Sequence, residues 1–202
     1  MKANTVVTSS MIAKSDEKTT NDLRIQEYNM LRLSSQIAAE DYIDIRFRMP
    51  SGEDYIVVSK KKVEIPQIDG VDSATTIWLQ LTEDEILTMS NAIVENYMIE
   101  GSVLYTAKYV EPGTQEKATP TYVPSEAVQN LLRNNDSNIL NTAKLALLTR
   151  YQGNSDVRNN INNTKNSIDP DDVATNISTG VKQEVSTAQE QRQDYLDALS
   201  GN

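Results

Sequence analysis

The chain has 202 residues, a net charge of −10, no cysteine, no histidine and one tryptophan. That length holds one compact domain with attachments, and an apolar share of 38% leaves part of the chain outside any core. Composition alone excludes disulfides, thiolate and imidazole metal sites, Ser-His-Asp triads and Cys-His pairs; no metal or cofactor is expected, and an acidic chain is repelled by phosphate backbones, which makes nucleic acid a poor ligand.

Residues 1–20 read as a polar N-terminal arm with two small apolar anchors, Val6-Val7 and Met11-Ile12. Their apolar stretch is too short for a signal-peptide core, and no run of 18 apolar residues follows, so the expectation is a protein made in a host cytoplasm and used without crossing a membrane by that route. From 21 to 39, Leu23, Tyr28, Leu31 and Ile37 recur near a helical period and predict an amphipathic helix. The period then changes. Ile43, Ile45, Phe47 and Met49 alternate with charged residues, Pro50-Ser51-Gly52 supplies a turn, and a second apolar run follows from Tyr55, which predicts a β-hairpin.

A further strand is expected over 76–81. Trp78 in it is expected to pack in the core beneath Ile86 and Ile93. Thr82 with Glu85 three residues on is a capping box, so a helix starts there, with Ile86, Met89, Ile93 and Tyr97 as its buried stripe and Gly101 near its end. Pro112, Pro120 and Pro124 mark a long loop, after which 126–133 and 139–151 read as a helical hairpin.

Beyond Gln152 the composition turns to Asn, Asp, Ser and Thr, with four basic against eight acidic side chains. Such a segment cannot build its own core. Its last part differs: Val181, Val185, Ala188, Arg192, Tyr195 and Leu199 are spaced 4, 3, 4, 3 and 4 apart, as in a heptad seam. With Leu196 beside them, Val181, Val185, Ala188, Tyr195 and Leu199 are the candidate partner-binding residues. The expected architecture is α+β, a small antiparallel sheet of about three strands covered by helices. It is organised as an arm over 1–20, a central domain over 21–152 and a polar arm over 153–202 that ends in an amphipathic helix.

No stretch points to catalysis. Asp169-Pro170-Asp171-Asp172 and Glu83-Asp84-Glu85 read as helix starts, with acids at the positive end of the helix dipole. Lys60-Lys61-Lys62 reads as a solvated run or as a guard on an exposed edge strand.

The segments 78–86, 90–95 and 104–113, running from Trp78 through the Thr82 capping box to Tyr109 and Gly113, resemble structural proteins of tailed bacteriophage virions, the crAss-like phages among them. The segment 139–157, with Ala143, Leu147 and the Thr149-Arg150-Tyr151 end, is similar to the helix of head-to-tail connector proteins that closes on an Arg-Tyr pair. The resemblance implies a non-enzymatic virion protein, a connector or ring component. It also implies a homo-oligomer whose arms contact other virion proteins: portal, ring or capsid subunits. The alternatives are an auxiliary capsid or head-fibre base protein, a soluble assembly adaptor absent from the particle, and a small enzyme or regulator in the infected cell.

Overall fold

The computed structural model describes residues 20–68, 71–73, 75–134 and 141–200, without the side chains of 68, 71, 141–143, 195 and 198–200. The expected N-terminal arm thus lies outside the described residues except for Thr20.

The strands are β1 (Arg24–Tyr28), β2 (Tyr42–Arg48), β3 (Asp54–Glu64), β4 (Gln67–Ile68), β5 (Val71–Asp72), β6 (Ile77–Leu81) and β7 (Val103–Lys108). The helices are α1 (Glu83–Met98), α2 (Glu126–Arg133), α3 (Asn141–Gly153), α4 (Ser155–Asn166) and α5 (Pro170–Ser200). The fold is α+β. Its main sheet has five antiparallel strands in the order β1-β6-β3-β2-β7, with β4 and β5 forming a separate ribbon.

Five strands replace the three expected, and the difference lies at the sheet's two edges. The expected strands β6, β3 and β2 are its centre. Residues 21–39 are not a helix: β1 pairs with β6 residue by residue, from Arg24↔Leu81 to Tyr28↔Ile77, and an irregular segment follows. Tyr28 and Leu31 are buried, as the apolar spacing requires, but from extended chain. Tertiary pairing overrides a weak local helix preference here. At the other edge, β7 pairs with β2, and the Arg32 backbone covers its outer side through bonds to Leu104 O (2.9 Å) and from Thr106 N (3.2 Å).

The hairpin forms as its alternation requires, with two register shifts between Ile43 and Arg46. There β3 carries the extra residues of a bulge. Lys60 sits in it at φ +48°, a left-handed conformation, and its amide donates to Asp44 Oδ1 at 2.9 Å.

Trp78 is not a core residue. The period-2 alternation of β6 buries Ile77, Leu79 and Leu81 completely and turns Trp78 to the opposite face, where it is 36% exposed. Its Nε1 donates to Glu27 Oε2 across the strand pair at 2.8 Å.

Helix α1 starts where the capping box places it, with the Thr82 amide bonded to Glu85 Oε2 at 3.0 Å. Met89 and Ala92 are fully buried over the sheet, and Ile86, Ile93 and Met98 pack at the margin of the core. Gly101, at φ +79°, reverses the chain from α1 into β7, a conformation that glycine adopts without a Cβ penalty. A second, smaller core joins Val123, Leu132 of α2, and Leu147 and Tyr151 of α3, which gives the helical hairpin its interior.

Residues 155–200, polar by composition, form α4 and α5. Helix α4 inserts Ile161, fully buried, into the main core, while Val157 and Ile168 pack on its border. Helix α4 thus docks with its few apolar residues on one side, Val157 and Ile161.

Candidate functional site

One buried carboxylate holds helix α4 to the domain. Glu95, completely buried on α1, accepts Arg158 Nη2 of α4 at 2.7 Å, the hydroxyl of Tyr122 at 2.7 Å and Lys165 Nζ at 3.3 Å. Arg158 is itself 5% exposed; its other nitrogens reach Val123 O (3.2 Å) and Asn162 Oδ1 (3.0 Å). Every polar group of this cluster is therefore paired, as burial of charge demands. The Tyr122 hydroxyl also reaches Asn91 Oδ1 at 3.2 Å.

Helix α5, about 46 Å long at helical rise, lies along α1. Its inner side is the stripe Val173, Ile177, Gly180, Glu184, Thr187 and Gln191, all half-buried and spaced 4, 3, 4, 3 and 4 apart. Gly180 allows the closest approach: a Cβ there would stand 2.4 Å from Tyr97 Cδ1. The Tyr97 hydroxyl donates to Glu184 Oε2 at 2.7 Å, and farther along Thr76 Oγ1 donates to Gln191 Oε1 at 2.7 Å.

The candidate partner-binding residues belong to the neighbouring stripe, one position on and about 100° around the helix. Val181, Val185 and Leu196 are 45%, 50% and 47% exposed, and Ala188 is exposed too. The side chains of Tyr195 and Leu199 lie outside the described residues. The helix thus carries two stripes of the same spacing, and it docks on its own domain with the polar one. Beyond Val173 and Ile177 the hydrophobic pattern does not mark the inner stripe, because its remaining contacts are made by a glycine, a carboxylate, a hydroxyl and an amide.

The remaining charged runs have local explanations in part. Asp169 caps α5, accepting the Asp171 amide at 2.9 Å on its side chain. In the Glu83-Asp84-Glu85 run, burial raises the Asp84 carboxyl above its ordinary range against the bond donated by the Thr82 hydroxyl at 2.7 Å. Among the described residues no group of three or more acidic side chains is placed to hold a metal ion. The edge-guard reading of Lys60-Lys61-Lys62 fails, since β3 is an interior strand. Instead these lysines line a cleft of about 600 Å³ together with Lys117, Arg150, Tyr42, Thr82, Asp84 and Glu85.

Four tyrosines carry the burial of this architecture into its pH response. Desolvation, the largest cause in each, raises the phenols of Tyr28, Tyr97, Tyr122 and Tyr151; the carboxylates of Glu85, Glu184 and Glu95 add to it at the first three. Unfolded tyrosines ionise near pH ~10. Stability from these groups is therefore complete below that pH and is lost as pH rises through their folded pKa values. The melting temperature should fall from about pH 10 upward, with phenolate absorbance lagging until the chain unfolds. Ionisation of all nine tyrosines in the folded protein would contradict the burial described.

No helix among the described residues is long and apolar enough to cross a membrane. Comparison of the chain with family models, characterised proteins and solved structures finds no match.

Proposed function

We propose that the chain is a non-enzymatic structural component of a tailed-phage virion, a head-to-tail connector or ring subunit that binds portal or neighbouring subunits through its C-terminal helix. The observation that carries this reading is the outward stripe of α5. Isolated exposed aliphatic residues are ordinary on any surface. Here Val181, Val185 and Ala188 follow a heptad step on a helix already fixed in place by other contacts. A helix held this way loses little conformational entropy on binding, which favours its use as a docking element. A mixed α+β domain that carries a long C-terminal helix on its surface is in keeping with the connector resemblance.

The test is the double variant V181S/V185S. Both positions are half exposed and absent from the cores, so the free chain should melt within about 1 kcal/mol of wild type. Incorporation into purified particles should be lost. Normal incorporation would sink the stripe as the interface, and mass spectrometry of the same particles separates a connector, present in a small fixed number, from a capsid-bound protein present in many more copies. Absence from the particle would leave the virion reading without support.

A further inference from the structure

We propose that the basic cleft receives the acidic Asp169–Asp172 corner of a second copy of this chain, so that subunits join head to tail. This rests on the assembly reading above and specifies the partner at a different surface from the α5 stripe. In a chain of net charge −10, the cleft gathers Lys60, Lys61, Lys62, Lys117 and Arg150 against only Asp84 and Glu85. Glu85 is already shared by two of them, Lys61 at 2.5 Å and Lys117 at 3.8 Å. Lys60 Nζ donates to a neutral acceptor, Gln115 O, at 2.9 Å, while Arg150 adds its positive charge to the wall with its guanidinium 5.3 Å from the Tyr151 ring centroid. Lys62 does pair, with Glu40 at 2.5 Å, but both side chains are largely exposed and such a pair exchanges at little cost. The cleft therefore keeps unmet demand for carboxylate oxygen.

The complementary group is in the same chain. Asp169, Asp171 and Asp172 are all exposed, three carboxylates within four residues. A subunit cannot deliver them to its own cleft as folded. The cleft is built on the first turns of α1, at Thr82, Asp84, Glu85 and Thr88. The acidic corner follows α4, whose Lys165 is held at Glu95, about 15 Å farther along α1. Two different patches that complement each other across copies make a heterologous contact, and repetition of such a contact closes a ring or extends a filament.

The experiment mixes isotopically light and heavy full-length chains, couples carboxylates to amines with a zero-length carbodiimide, and identifies mixed-isotope links by mass spectrometry. The expected links join Lys60, Lys62 or Lys117 of one copy to Asp169, Asp171 or Asp172 of another. K60E/K62E and D171K/D172K, each checked for folding by circular dichroism, should separately weaken self-association by about tenfold or more, and an equimolar mixture of the two should restore it. Links confined to single chains, a mixture that stays dissociated, or protection of the cleft lysines by an oligonucleotide but not by a second copy would overturn the inference. If the chain still associates and V181S/V185S alone prevents it, the assembly reading stands while this contact fails. A chain that never self-associates removes this contact, and particle incorporation then decides the assembly reading separately.

Discussion

Replacing Glu95 by Ala should destabilise the protein by about 3–5 kcal/mol, the cost of leaving one member of a buried ion pair without its partner. Glu95, fully buried, is the common acceptor for Arg158, Tyr122 and Lys165, and Arg158 is buried to 5% exposure. Its removal strands a guanidinium inside the protein. The double variant E95A/R158A should be less damaging than the two single losses added together, because the second change removes the group that the first left unpaired. Equilibrium denaturation of the three variants measures this. A loss below about 1 kcal/mol for E95A would mean that the cluster is solvated and does not anchor α4.

Gly180→Ala should have the next largest effect, and of the opposite sign to the usual one. In an exposed helix the change would gain roughly 1 kcal/mol from propensity. Here the new methyl meets Tyr97 at Cδ1, Cγ and Cε1, the last at 3.0 Å. Contact at the base of a ring is not relieved by turning a flexible tip. Either α5 lifts from α1 or Tyr97 leaves its position and gives up its bond to Glu184. The expected cost is about 1–3 kcal/mol, typical of overpacking. Hydrogen exchange should show faster opening over 176–194, with α1 and the sheet unchanged. An increase in melting temperature would show that α5 does not dock this closely.

The legible parts of this fold are those whose signals are local. The β2–β3 hairpin announces itself by alternation and a Pro-Ser-Gly turn, and α1 by Thr82 and Glu85. Helix α2 starts at Ser125-Glu126, after Pro124, with the expected bounds. The edge strands were hidden because their pairing partners are distant. The five residues of β1 read as helix until β6, some fifty positions on, supplies a ladder. The strand position of Trp78 beside the main helix suggests the core, whereas the phase is set by Ile77, Leu79 and Leu81 together. The tail was read by its average polarity, but its attachment depends on a few residues: Ile161, and an Arg158–Glu95 pair separated by 63 positions. No compositional average reports a pair. Of the candidate site, the stripe at Val181, Val185 and Ala188 was visible in the spacing, while Gly180 and Glu184, which fix the helix that presents it, were not.

Helix α5 is docked by its inner stripe, and on the function proposed above its outer stripe of Val181, Val185 and Ala188 meets a partner. Since the chain has no cysteine, V185C creates a single thiol in the middle of that stripe, and V110C creates one at a site 83% exposed and far from α5 in sequence. The rate of thiol alkylation, compared between the free protein and purified particles, is the direct measurement. Both thiols should react readily in the free chain, and only V185C should become protected on assembly. Equal reactivity of V185C in the free and assembled protein would contradict this role of the outer stripe.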